Sequence, residues 1–168
     1  MINRRLFSRH FRLFALLIIM SLPGFCQSNT DQLEANKETA RSYLNVVVNK
    51  QDLGFMSRIF SHDFAYHNTD GSVEHNIADG SLAAFLRELF TGFPDIHYTI
   101  VNTIAEGDMV SLYCVATGTQ KGSFLGNPAT NKKVAFKEMF LYRVTNGKLT
   151  EAWNVVDRKE VFDQISGK

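Results

Sequence analysis

Three ionisable residues stand among apolar neighbours and could move protons: His67, Glu138 and Asp157. Glu138 is in phase with Val134, Phe136, Phe140, Tyr142 and Val144. A period of two places all of these on one face of a strand. The carboxyl is then a cavity group, a charge at a subunit seam, or a strand-end group whose oxygens reach solvent. Asp157 lies four residues beyond Trp153, the chain's only tryptophan, so both point to one side of an unbroken extended segment. Facing an aromatic-lined cavity, Asp157 would be driven towards its neutral form by desolvation and could act as general acid or base. With Glu160 three residues on, it equally suits a helix cap, whose N–H bonds would keep it ionised. His67 follows Phe64 and Tyr66 at the end of an extended run, beside Asn68. Its imidazole could shuttle protons at a cavity mouth near neutral pH, or bond to backbone in a loop.

Other chemistries find less support. His62, His67 and His75 lie near Asp63 and Glu74, but the spacing puts His62 and His67 on opposite faces of any strand. No closely spaced His pair or cysteine completes a metal site, so no metal is expected. Cys114 sits in an apolar strand without an adjacent base and reads as core. There is no Gly-rich phosphate cradle, Gly-x-Ser-x-Gly elbow or paired-cysteine site.

The elements that must hold these groups follow from periodicity. Ala40, Tyr43, Leu44 and Val47 define one face of a helix over about 31–49, and the run from Asp52 to Phe60 repeats the pattern briefly. A helix in "DGSLAAFLRELFTGFPD" lines up Leu82, Phe85, Leu86, Leu89 and Phe90, with Ser81 at its cap and Gly92 and Pro94 at its end. From Ile96 the rhythm becomes that of strands, and Asn146-Gly147 between two alternating runs marks a hairpin. A short helix closes the chain. Helices first and strands after argue α+β with an antiparallel sheet. Such a sheet can lie flat, or curl around the helices and enclose a pocket. Gly118, Gly122 and Gly126 favour bending near the longest connection. Phe93, Phe124, Phe136 and Tyr142 are then the candidate lining, with Trp153, Asn68 and Glu138.

Residues 1–26 read as a secretory signal peptide, because Arg4, Arg5, Arg9 and Arg12 precede an uncharged apolar run ending in small residues. That run is shorter than the ~20 residues of a membrane-spanning helix. Export to the periplasm or beyond is expected, with no membrane partner once the signal is removed. "NRRLFSR" partly resembles a twin-arginine signal, and Cys26 leaves a lipoprotein as an alternative. Residues 27–168 make one domain by length. Removing four arginines from 18 basic residues leaves 14 against 17 acidic ones, a net charge near −3. That balance excludes a nucleic-acid partner. Cys114 then remains alone, without a disulfide partner, so stability rests on a core that includes ten phenylalanines.

Taken in order, "FAYHN", "FTGFPDIHYTI", the run from Ala105 to Asp157, and "FDQI" resemble the SnoaL-like polyketide cyclase group of the nuclear transport factor 2-like superfamily, over about residues 35–166. The resemblance implies a cone of antiparallel sheet around helices, often dimerised through the sheet, with a hydrophobic pocket and no cofactor. In the family's cyclases an aspartate and a histidine do acid/base work on an intramolecular aldol closure. The Trp-x-x-x-Asp aspartate falls on Asp157, with Trp153 beside it, and the recurrent His-Asn falls on His67 and Asn68. Two departures stand out: Gly118-Thr119-Gln120 where relatives often have Gly-Thr-His, and Thr130-Asn131-Lys132 where they often have Thr-Gly-Lys. The implied function is cyclase- or isomerase-type acid/base chemistry on a small hydrophobic carbonyl compound. The alternative is a non-catalytic binding or dimeric interaction module.

Overall fold

The computed structural model describes residues 24–166 of the chain, with side chains from residue 29. The expected signal peptide lies outside the described residues, except for the backbone of Gly24–Cys26, which opens the first helix. That helix, α1 (Gly24–Ser42), continues as a wider π-turn over Tyr43–Val48, closed by Asn49 N donating to Leu44 O at 2.8 Å. The extra residue per turn brings Tyr43, Leu44, Val47 and Val48 all to the buried side. A single 3-10 turn (Leu53–Phe55) and the short α2 (Met56–Ile59) lead into β1 (Phe60–His67) and the brief β2 (Val73–Glu74). α3 (Ser81–Gly92) follows, then β3 (His97–Glu106), β4 (Met109–Thr119), β5 (Lys133–Thr145), β6 (Lys148–Val156) and α4 (Arg158–Ser166).

The strands form one six-stranded sheet in the order β2-β1-β6-β5-β4-β3. The expected α+β architecture holds, and all but one of the pairings are antiparallel. The exception is β1 beside β6, which run parallel, with His67 opposite Trp153. The hairpin at Asn146-Gly147 is formed with φ of 52° and 72°, the two left-handed residues that a tight turn matching strand twist requires. Asn131 also takes a left-handed backbone, φ 57°, in the place where the family often has glycine.

Alternation along β5 separates two environments. Val134, Phe136, Glu138, Phe140, Tyr142 and Val144 are buried against the helices, while Met139 and Leu141 face outward and are exposed. α1 packs across the inner side of β3, β4 and β5, and α4 packs on β5. Buried hydrophobics from the helices and from the inner sheet face form one continuous cluster.

The longest connection, residues 120–132, is folded back against the end of α3. Lys121 N and Gly122 N both donate to Gly92 O, at 2.8 and 3.1 Å. A Cβ on Gly122 would stand 2.3 Å from Thr91 O, so only glycine permits this approach. Its role is close contact rather than the sheet bend expected of it. Gln120 is fully buried and organises the same loop. Its Oε1 accepts from Thr130 Oγ1 at 2.7 Å and its Nε2 donates to Asn127 O at 3.3 Å. At the start of α3 the cap also differs from expectation. Asp79 Oδ1 accepts from Ser81 N at 2.8 Å, and Gly80 turns the chain with φ 76°.

Candidate functional site

Between the inner sheet face and the helices lies a cavity of about 420 Å³. Its walls are mostly aromatic: Phe60, Phe64, Phe93, Phe136, Phe140 and Tyr142 among them. Rings pack edge to face around it, as in Tyr98 with Phe136 at 6.2 Å and Phe93 with Phe124 at 5.3 Å. Residues that line the cavity and are also exposed mark its mouth: Glu74, Ser81, Phe85, Leu125 and Arg158. This explains why Phe85, on the apolar stripe of α3, remains 41% exposed.

Glu138 sits inside, 6% exposed. Tyr98 on β3 donates its hydroxyl to Oε2 at 2.8 Å, and Asn154 on β6 donates its amide to Oε1 at 2.6 Å. Tyr66 on β1 in turn donates to Asn154 Oδ1. Four strands therefore place one polar chain, Tyr66–Asn154–Glu138–Tyr98, across an apolar chamber. Burial raises the Glu138 pKa above the ordinary 4.5, and the two donated hydrogen bonds and the Arg158 charge oppose that rise only in part. The same burial, reinforced by Glu138, raises Tyr98 well above 10 and pushes the Cys114 thiol, opposite Glu138 on β4, up to about 12. A carboxyl so placed can release or take up a proton under conditions where a surface glutamate stays ionised.

The residues expected from sequence fall into two groups. Glu138, Asn68, Phe93, Phe124, Phe136 and Tyr142 line the cavity. Asp157, His67 and Trp153 do not. Asp157 is exposed and caps α4, accepting from Glu160 N at 2.9 Å. His67 and Trp153 stack on the outer sheet face, ring centroids 4.4 Å apart and 7° from parallel. His67 Nε2 lies 2.8 Å from Glu151 Oε2. Glu151 Oε1 is 2.8 Å from Arg143 Nε, whose N–H is not aimed at it, and Arg143 pairs with Asp108 at 2.9 Å. The expected pairing of Asp157 with His67 over one cavity is therefore not formed. β6 ends at Val156, so its alternation does not carry on to Asp157, and Trp153 lies on the side of that strand facing away from the helices. Ala152, Asn154 and Val156, in the opposite phase, face the cavity.

Tyr66, Tyr98, Asn154, Asn76 and Arg158 were not singled out by sequence. Tyr66 and Asn154 carried a signal, since each shares parity with apolar inner residues of its strand. Tyr98 carried none that could link it to Glu138, from which it is separated in the sheet by β4. Among the described residues, no three His, Cys, Asp or Glu side chains cluster to hold a metal ion.

A mainly antiparallel sheet packed with helices over an apolar chamber is the architecture of the nuclear transport factor 2-like class of α+β proteins. Within it, the chain belongs to the SnoaL-like polyketide cyclase family, whose sequence model matches residues 37–165. Solved structures of the same fold include a candidate SnoaL-like polyketide cyclase from Jannaschia sp. CCS1, 25% identical with TM-score 0.70, covering 80% of this chain and 94% of that one. AclR, a candidate hydroxylase from Streptomyces galilaeus, is 20% identical with TM-score 0.72, covering 81% and 83%. IdmH, a candidate polyketide cyclase from Streptomyces antibioticus, is 23% identical with TM-score 0.67, covering 78% and 98%. No curated protein matches the chain by sequence.

Proposed function

We propose that the protein is a cofactor-independent acid/base enzyme of the cyclase or isomerase type, acting on a small hydrophobic carbonyl compound, with Glu138 as the proton-transfer group. The observation that carries this reading is a buried carboxyl, hydrogen-bonded through both oxygens, inside an apolar chamber. As carboxylate, Glu138 removes a proton from the carbon next to a carbonyl, leaving an enolate. The enolate carbon attacks a second carbonyl of the same molecule, and the resulting alkoxide recovers the proton from Glu138. The cycle neither gains nor loses atoms or electrons, so it calls for no cofactor. Asn154 and Tyr98 hold the carboxyl in place through the cycle.

A second reading, ligand binding without turnover, is favoured by one observation: the Asp157–His67 pair implied by the family resemblance is split between a helix cap and the outer sheet face. The two readings separate on exchange of the α-protons of tetralone for solvent deuterium. Wild type accelerates exchange and Glu138→Gln abolishes it while still binding the ketone. Binding without exchange in wild type would leave the binding-module reading.

Export and dimerisation belong to the same proposal. The first is supported by the arginine-led apolar run at the N-terminus. The second is supported by Met139, Leu141 and Val155, which leave the outer face of β5 and β6 apolar and exposed.

A further inference from the structure

The chain makes a tight left-handed turn twice, with different residues. Asn146-Gly147 closes the β5–β6 hairpin with φ of 52° and 72°, and Leu125-Gly126 adopts nearly the same values, 46° and 76°. The second turn is closed from both sides, Phe124 N donating to Asn127 O at 3.0 Å and Asn127 N to Phe124 O at 2.9 Å. Asparagine enters the left-handed region at little cost, whereas the Cβ of a leucine crowds the following carbonyl there. Burial does not offset that strain, because Leu125 is 43% exposed. A strained residue that its own packing does not stabilise points to a function.

Leu125 stands at the mouth of the chamber, as does Phe85 of α3, and both apolar side chains are exposed there. The turn is tied to that helix. Leu125 N donates to Glu88 Oε1 at 2.7 Å, and the Phe124 ring lies 6.1 Å from that of Phe85 and 5.3 Å from that of Phe93, centroid to centroid. Leu125 and Phe85 thus make an apolar lip whose position is fixed relative to α3. Asparagine at position 125 would ease the turn but would offer a hydrated amide to whatever enters. We propose that Leu125 is a specificity-determining residue whose side chain contacts the outer part of a bound ligand, so that the chamber favours carbonyl compounds with an apolar body reaching the lip over smaller ones. This rests on the reading of the chamber as the site for a hydrophobic carbonyl compound, and it holds equally for turnover and for binding alone.

The test uses two probes, tetralone and its homologue with a phenyl group on the ring carbon para to the carbonyl. Isothermal titration of the wild-type protein is expected to show the phenyl compound binding about tenfold tighter, because its added ring meets the lip. In Leu125→Asn that preference should fall about fivefold or more, with a melting temperature equal to or above wild type, since the turn is relieved. Leu125→Met keeps the apolar bulk and should keep the preference. If Leu125 served only the turn, neither substitution would move it. Equal affinities in wild type, a preference that survives Leu125→Asn or is lost in Leu125→Met, a Leu125→Asn protein less stable than wild type, or no binding of either compound overturns the proposal. Deuterium exchange on tetralone by wild type reports on Glu138 separately. Exchange without a phenyl preference removes the Leu125 assignment alone, and preference without exchange removes only the catalytic role of Glu138.

Discussion

Tyr98 reaches Glu138 across an intervening strand: the donor is on β3, the acceptor on β5, and their 2.8 Å hydrogen bond passes over β4 on the inner side of the sheet. Asn154 approaches the same carboxyl from β6. The carboxyl is thus clamped from both sides by strands distant in sequence, which fixes its oxygens before any ligand arrives. Preorganisation of this kind is what a proton-transfer group needs.

Stability should fall as pH rises through the titration of Glu138. In the unfolded chain the carboxyl loses its proton near 4.5, while burial holds that proton to higher pH in the folded state. Above 4.5 the unfolded state therefore binds fewer protons, and the slope of stability against pH is negative. The contribution is fully present below 4.5 and is lost as pH climbs through the folded pKa. Thermal melts across this range should show the decline in wild type and a flatter profile in Glu138→Gln.

Tyr98→Phe should move the pH profile of α-proton exchange to higher pH. The Tyr98 hydroxyl favours the ionised form of Glu138, so its removal lets desolvation raise the carboxyl further. A lower rate with no shift of the profile would mean that Tyr98 acts on the ligand instead of on Glu138.

Asp157→Ala should cost about 1 kcal/mol of stability, the usual loss for a removed N-cap. Denaturant titration measures that cost, and tetralone affinity should remain as in wild type because the cap lies outside the chamber wall. Abolished exchange in a folded Asp157→Asn protein would return the catalytic role to this residue.

Gly122→Ala should destabilise by about 1–3 kcal/mol, as overpacking does, because the new methyl meets Thr91 O. Gln120→Ala should cost a similar amount by stranding the partners it holds in the 120–132 connection. Both are read from chemical denaturation midpoints.

Val155→Glu and Leu141→Glu place charge on the exposed outer face, where both side chains point away from the core. If that face joins two copies, sedimentation should show wild type as a dimer and each variant as a monomer with the same melting cooperativity. A monomeric wild type at micromolar concentration would exclude the association.

Periodicity alone determined most of the fold. Leu82, Phe85, Leu86 and Leu89 could be read as one helical face, and Asn146-Gly147 as a hairpin, because each depends on residues within a few positions of one another. Glu138 was legible as a carboxyl on an aromatic face for the same reason. Which face of β6 turns inward is visible only in the assembled sheet, where β1 lies parallel beside it and His67 stacks on Trp153 on the outer side. A period of two separates two faces of a strand without saying which one meets the helices. The clamp on Glu138 was likewise out of reach of local reading, since Tyr98, Asn154 and Tyr66 converge through sheet order rather than spacing. Local chemistry proposed two roles for Asp157, and the choice fell to its cap because α4 begins at the next residue, where the carboxylate can satisfy a free backbone N–H.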